Sequence, residues 1–196
     1  MTKTRSRFLL TLAVLACCLS SVSAKPQANK LPEWKPTPEL LTKLSAPVQV
    51  EAGSLRVPKG FEQEREEAPH GLMYVWSKKA GQGGGDQAFF VTIPSLTPEQ
   101  FRTHTLQIAL EDLLIGYRRS FDQWKQTPAQ LGMINKAEAI RLHWSGINRK
   151  RKVKTQGSVF IVKTKTDYIV MVSILSDKDQ AGLRITEAAA LTFKPK

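Results

Sequence analysis

The segment Thr97–Phe121, TPEQFRTHTLQIALEDLLIGYRRSF, has the longest helical spacing of apolar residues in the chain. Thr97 can cap the first turn, Pro98 stands where a missing N–H is harmless, and Gln100 can complete a capping box. One face carries the apolar residues Leu106, Ala109, Leu110, Leu113, Leu114, Tyr117 and Phe121. Burying this stripe contributes roughly 10 to 20 kcal/mol before opposing terms. We therefore predict one long helix from Thr97 to Phe121, packed against a core.

The first 24 residues have the three parts of a secretory signal peptide. A basic start is followed by the apolar run Phe8–Leu19 and by the small-residue cleavage site Val22-Ser23-Ala24. The apolar run is shorter than the roughly 20 residues that a membrane helix needs, and no later segment approaches that length. We predict cleavage after Ala24 and a periplasmic or extracellular protein without a transmembrane segment.

Both cysteines, Cys17 and Cys18, lie inside the predicted signal peptide. The chain after Ala24 therefore has no disulfide, and its stability must come from an apolar core. Leu15-Ala16-Cys17 also resembles a bacterial lipobox imperfectly, which leaves a lipoprotein anchored through Cys17 as a minor alternative.

The predicted mature chain has room for one domain. Residues 25–53 are rich in proline, and we expect mostly linker there, with a short helix from Pro38 to Leu44. This helix either docks on the edge of the domain or belongs to a partner-binding peptide anchored by Trp34. Residues 54–196 form the predicted domain.

Runs of apolar and β-branched residues predict the strands of this domain. They are Ser54–Phe61, Leu72–Trp76, Ala88–Ile93, Ala137–Ser145, Gly157–Thr164 and Tyr168–Leu175. Because Tyr168–Leu175 is almost continuously apolar, we expect it at the centre of the sheet. A last helix from about Asp179 to Leu191 follows, with Asp177 as its cap.

Motifs that carry catalysis are missing from the sequence. It has no Gly-x-Ser-x-Gly, His-Glu-x-x-His or Cys-x-x-Cys motif, and His70, His104 and His143 are far apart. The glycine-rich stretch 81–85 precedes a strand rather than a helix, which argues against a nucleotide-binding loop. The acidic run Glu62–Glu67 is interpreted as a solvated edge. We predict no catalytic residue, no metal site and no cofactor.

The chain carries 29 basic and 17 acidic side chains, a formal net charge of +12. Such an excess favours anionic partners, although it also serves solubility. Between two predicted strands lies its densest basic run, Arg149, Lys150, Arg151, Lys152 and Lys154. This run either binds a polyanion or is a solvated turn, partly neutralised by Glu62–Glu67. No aromatic residues interleave with it, so specific nucleic-acid binding is not expected. Outside the strands, Trp34 and Trp124 are candidates for partner binding.

Short motifs in this order resemble the Mog1/PsbP-like family in its bacterial secreted branch, over about Ser54 to Phe193. The opening is Pro58-Lys59-Gly60-Phe61, Ile134-Asn135-Lys136 precedes a strand, and Thr192-Phe193-Lys194 closes the domain. Lys136 stands where the family's turn has glycine, which tolerates positive φ far better. The resemblance implies an α+β fold, with an antiparallel sheet of about six strands and helices on both faces in an α/β/α sandwich. It also implies a non-enzymatic binding or assembly factor.

We therefore predict a secreted, non-catalytic binding module of the cell envelope. It uses the 149–154 run and a groove beside the long helix to hold an acidic polymer or a partner protein. The alternative is a structural or assembly factor that docks to one protein through the proline-rich segment and Trp34.

Overall fold

The computed structural model describes residues 30–68, 71–79 and 87–196, and of residues 65–68 it describes the backbone. Residues 31–196 form one compact unit. The predicted signal peptide, its Cys17 alternative, His70 and the glycine-rich stretch 81–85 lie outside the described residues.

The described residues contain four helices and eleven strands. The helices are α1 (Pro38–Leu41), α2 (Pro98–Thr103), α3 (Leu106–Ser120) and α4 (Gln180–Leu191). The strands are β1 (Leu44–Val50), β2 (Gly53–Pro58), β3 (Glu62–Ala68), β4 (Gly71–Lys78), β5 (Gln87–Pro94), β6 (Phe121–Gln126), β7 (Gln130–Ile134), β8 (Ala137–Asn148), β9 (Lys154–Lys163), β10 (Tyr168–Ser176) and β11 (Lys194–Pro195).

Eight of these strands form one antiparallel sheet in the order β3-β4-β5-β10-β9-β8-β6, with β7 also paired to β8. Strand β10 is the fourth of the seven in this order, so its predicted central position is confirmed. A smaller sheet has the order β1-β2-β11. The expectation of about six strands was too low, because polar strands such as β3 and β6 carry no apolar pattern that marks them.

Helices α3 and α4 pack on opposite faces of the large sheet, as the resemblance implied. Leu106, Leu110 and Leu114 of α3 join one apolar core with alternate residues of β8, β9 and β10. The run Ala188–Ala190 of α4 joins the other core, together with the small sheet and the remaining alternate residues. The α/β/α sandwich follows from this two-residue alternation of side chains along each strand.

The predicted long helix is two helices, which corrects the expectation for Thr97–Phe121. The capping box at Thr97 is present, but α2 ends before His104, whose backbone is extended with φ −73° and ψ 132°. Thr105 then caps α3 by accepting a hydrogen bond from the Ile108 N–H at 3.2 Å. The Tyr168 hydroxyl donates to the His104 carbonyl and so stabilises the break. This partner is distant in sequence and could not be anticipated from helical spacing.

Residues 31–53 contribute more than the expected linker. Helix α1 begins at Pro38 as predicted but ends at Leu41, because Leu44–Val50 pairs with β2 as strand β1. Leu40 and Leu41 pack against the core on the α4 face. Of the two interpretations of this helix, the structure shows docking on the domain.

The cap of α4 is Asp179 rather than the predicted Asp177. The Asp179 carboxylate accepts a hydrogen bond from the Gly182 N–H at 2.8 Å, and α4 starts at Gln180. The cap therefore lies two residues later than expected, next to the first helical turn.

Two motifs of the resemblance meet in space. Asn135 and Lys136 form a two-residue turn between β7 and β8, with φ of 46° and 69°. The Asn135 side-chain amide donates to the Phe193 carbonyl at 2.6 Å and so joins this turn to the end of the domain. Lys136 adopts the left-handed backbone that glycine would occupy more easily, so the turn is kept without glycine.

Candidate functional site

Asn148 builds the turn that presents the basic run. Its side-chain oxygen accepts from the backbone N–H groups of Lys150 and Arg151 at 3.1 and 2.9 Å. Its backbone carbonyl accepts from the Lys152 N–H at 2.7 Å, and its N–H donates to the Val153 carbonyl at 2.9 Å. Residues 149–154, which we call the basic turn, are all exposed. The turn is therefore a tight, hydrogen-bonded tip rather than a loose loop.

Arg149 ties this turn to the rest of the protein. Its Nε lies 2.7 Å from the Asp122 Oδ1, and its backbone N–H donates to the Ser120 carbonyl at 3.1 Å. This places its charge at the C-terminal end of α3, where Arg118 and Arg119 also stand. Cations there complement the helix dipole. Arg149 thus has a structural role beside any role in binding.

The predicted neutralisation of the basic turn by Glu62–Glu67 is wrong. The acidic residues lie on β3, at the far edge of the large sheet, four strand spacings from β9. At about 4.8 Å per spacing this separation is about 19 Å. Since the screening length at physiological salt is about 8 Å, charges this far apart have little effect on each other.

Other basic residues share the sheet end that holds the basic turn. Lys78 ends β4, Lys79 follows it, and Lys178 stands in the turn between β10 and α4. They lie far from the basic turn in sequence, and antiparallel pairing brings them to the same end. Sequence reasoning missed all three, because isolated lysines give no local signal.

Trp124 lies within β6, not outside the strands as predicted, and it belongs to an aromatic cluster close to this end. Its ring stacks on Trp144 with centroids 5.0 Å apart and 11° between planes. Its indole N–H donates to the Gln126 side-chain oxygen at 2.9 Å, so the ring is half-buried rather than open. Tyr117 contacts both indoles, and burial raises its pKa to about 12. Partner binding through Trp124 stays a prediction.

Trp144 carries the one buried side-chain polar atom without a hydrogen-bond partner among the described residues, its indole nitrogen. The ring is 3% exposed and is surrounded by Tyr117, Phe121 and Trp124. Aromatic faces are weak acceptors for such a donor. The cluster is therefore held by apolar contacts, and the indole N–H of Trp144 is a hydrogen-bond donor buried inside it.

Trp34, the second candidate for partner binding, is seated on its own domain. Its backbone N–H donates to the Met133 carbonyl at 2.8 Å, and the Arg141 guanidinium lies 4.3 Å from its ring centroid. The ring covers Gly132, where a Cβ would overlap it, and meets Phe160 edge-on at 6.4 Å. The structure brings Trp34 and Trp124 to different places, and Trp124 is the one whose strand, β6, reaches the basic turn.

The described histidines stay apart, each beside a carboxylate. His104 lies 3.5 Å from Asp112, and His143 lies 2.5 Å from Glu187 on α4. Within residues 30–68, 71–79 and 87–196, no three His, Cys, Asp or Glu side chains are grouped to hold a metal ion. In the same ranges, no helix is long and apolar enough to cross a membrane.

Comparisons with known proteins define the fold. No protein-family model and no curated protein matches the sequence. Among solved structures, cyanobacterial PsbP (CyanoP) from Synechocystis sp. PCC 6803 is similar with a TM-score of 0.55 and 11% identity, over 79% of this chain and 93% of that one. PA94 from Pseudomonas aeruginosa, a protein of unknown function described as a putative regulator, has a TM-score of 0.51 and 10% identity, over 78% and 97%. The chain has the Mog1/PsbP-like fold that its motifs predicted.

Proposed function

We propose that this protein is a non-catalytic binding module that holds an acidic polymer through the basic turn. The observation that carries the proposal is the geometry of residues 149–154. Five basic side chains stand on or beside a turn whose backbone is held by Asn148, and all five are exposed. Because the turn backbone is already ordered, only the side chains remain to be ordered on binding.

The backbone of Lys152 shows how tight the turn is. Its φ is 56°, in the left-handed region where glycine is favoured and where other residues cost about 1 kcal/mol or more. Lys136 has the same kind of backbone with φ of 69°, so this conformation alone does not mark a binding residue. The support for binding is the exposed charge of the turn, since lysine side chains contact phosphates, sulfates or carboxylates as point charges.

The ligand that fits best is a polyanion of the cell envelope. The predicted signal peptide supports a periplasmic or extracellular location, where we expect acidic polymers of the envelope as partners. The basic turn has no aromatic residue on which bases could stack. Recognition there is by charge and spacing rather than by base sequence.

The alternative of an assembly factor docking through the N-terminal segment has less support. The ring of Trp34, its proposed anchor, already packs against Gly132, Arg141 and Phe160 of the same domain. A partner would have to displace these residues first. Truncating residues 25–50 is also not a clean test, because it removes helix α1 and the whole of strand β1.

Retention on an immobilised polyanion under a salt gradient tests the proposal. The variant K150Q/R151Q/K152Q/K154Q removes four charges and leaves Arg149 in its pair with Asp122. A matched control, K136Q/K165Q/K194Q/K196Q, removes four exposed charges elsewhere. We expect the turn variant to elute at lower salt, with a salt slope smaller by nearly one for each substituted side chain that binds an anionic group of the polymer. The control should elute close to the wild type.

Equal elution of the turn variant and the control contradicts the proposal, because net charge alone would then explain retention. In that case the basic turn is a solvated turn. The segment around Trp34 then becomes the place to search for a protein partner.

A further inference from the structure

We propose that the polyanion site extends beyond the basic turn, along one end of the large sheet, as far as Lys78 and Lys79. It takes a linear polyanion laid across the ends of the strands. This inference rests on the proposed function of the basic turn, and it adds the path of the ligand and its minimum length.

Strand pairing defines this path. Lys78 at the end of β4 is in register with Gln87 at the start of β5. Ser176 at the end of β10 is in register with Thr155 near the start of β9, and the basic turn joins β9 to β8. The ends of β4, β10 and β8 and the starts of β5 and β9 therefore lie side by side at one end of the sheet.

Two lysines along this path, Lys78 and Lys154, share a face of the sheet. Side chains alternate along a strand, so Lys78 lies on the same face as Trp76, and Lys154 on the same face as Phe160. Trp76 and Phe160 both belong to the core on the α4 face. Lys78 and Lys154 thus stand on the α4 side of the sheet end, where one extended ligand can meet both.

Lys178 fills the interval between them. It stands in the turn from β10 to α4, and the Asp177 N–H of that turn donates to the Lys154 carbonyl at 3.3 Å. Two carboxylates accompany it. Asp179 is engaged in capping α4 through Gly182. Both described carboxylates carry negative charge that repels an anionic ligand, and Asp177 is the one that can be replaced without removing the cap of α4.

The length of the path sets the length of the ligand. From β4 to β8 there are four strand spacings, about 19 Å at about 4.8 Å each. The path ends at β4, because the exposed acidic residues Glu62 and Glu64 of the next strand, β3, repel an anionic ligand. A single exposed ion pair is weak, so appreciable affinity requires one chain that binds several side chains at once. An anion shorter than about 19 Å reaches only one part of the path.

Titration with linear polyphosphates of graded chain length tests this inference, with oligogalacturonates as the carboxylate counterpart. The proteins are the wild type, K78Q/K79Q, D177N and the control K136Q/K165Q, whose residues lie at the opposite end of the sheet. For the wild type we expect affinity to rise with chain length and to level off once the chain spans the path. K78Q/K79Q should keep the wild-type affinity for short chains and bind long ones about threefold to tenfold more weakly.

D177N should bind long chains more tightly than the wild type, and K136Q/K165Q should follow the wild type at every length. If long chains bind more tightly than short ones for both polymers, the protein recognises the spacing of charges. If this holds for one polymer alone, its anionic group, phosphate or carboxylate, is the recognised group. If long chains bind no better than short ones per anionic group, or if K78Q/K79Q weakens short and long chains equally, the extended path is wrong while the basic turn remains a site. If no chain binds, the proposed function fails as well.

Discussion

Gly157 shows how a single residue supports the aromatic cluster. It lies in β9 beneath the Trp144 indole, and a Cβ built there would overlap the Ser173 carbonyl oxygen and come within 2.8 Å of the Trp144 ring. Both neighbours are buried, so neither can move aside easily. The absence of a side chain at this position allows β9, β10 and Trp144 to pack together.

Gly157→Ala is therefore expected to destabilise the protein by about 3 kcal/mol or more, as overpacking of a core does at its upper range. Gly116→Ala is the matched control, since Gly116 lies on an exposed part of α3 with nothing within 4 Å of the new Cβ. Alanine there should stabilise the helix by up to about 1 kcal/mol. Urea unfolding of the two variants checks the contrast, and similar midpoints would contradict it.

Burial of Tyr117 in the same cluster makes the stability of the protein depend on pH. Its pKa is raised from 10 to about 12 by burial, so the folded protein holds this proton at a pH where the unfolded chain releases it. Deprotonation therefore favours the unfolded state, and this contribution to stability is lost as pH rises from about 10 to 12.

Tyr117→Phe removes that contribution. We expect the stability difference between Tyr117→Phe and the wild type to shift in favour of the variant between about pH 10 and 12. Below about pH 9 the difference should be constant. Thermal unfolding measured across this range, on both proteins, tests the assignment. A difference that does not change with pH would show that Tyr117 is not the responsible group.

At the scale of elements, the break between α2 and α3 depends on a few hydrogen bonds. Thr105 caps α3, and the Tyr168 hydroxyl donates a hydrogen bond to the carbonyl of His104, the residue before Thr105. A continuous helix would bury the same apolar stripe, because Leu106, Leu110 and Leu114 all lie in α3. The break thus leaves the core of α3 unaffected and turns α2 along a different direction.

Thr105→Ala should cost about 1 kcal/mol of unfolding free energy, because it leaves a helical N–H without its cap. Thr103→Ala is its control, since the Thr103 hydroxyl donates to carbonyls of its own helix and caps nothing. That change should stay within about 0.5 kcal/mol of the wild type. Chemical denaturation measures both, and equal losses of stability would argue against the cap at Thr105.

At the scale of the whole molecule, the large sheet separates charge. One edge strand, β3, carries the acidic run, and the opposite edge lies next to the basic turn. Charged residues on edge strands also discourage pairing with other sheets. The basic turn is not an edge strand, so this role does not account for its charge. Polyanion binding is the explanation that we propose.

Much of this fold was accessible from the amino-acid sequence. The apolar runs located β4, β5, β8, β9 and β10, and the almost continuous apolar character of Tyr168–Leu175 placed β10 at the centre. The spacing of leucines identified the buried face of α3. These predictions were successful because each depends on local periodicity, which reports directly whether a side chain is buried.

The remaining features depend on residues that are distant in the chain. Strands β1, β3, β6 and β7 are short or polar, and they form because a neighbouring strand supplies hydrogen bonds. The break at His104 depends on Tyr168, and the fit of Trp34 depends on Gly132. For the candidate site, the basic run could be read directly from the amino-acid order. That Lys78 and Lys178 lie at the same end of the sheet as this run could be seen only in the folded structure. Antiparallel pairing brings together residues that no local pattern connects.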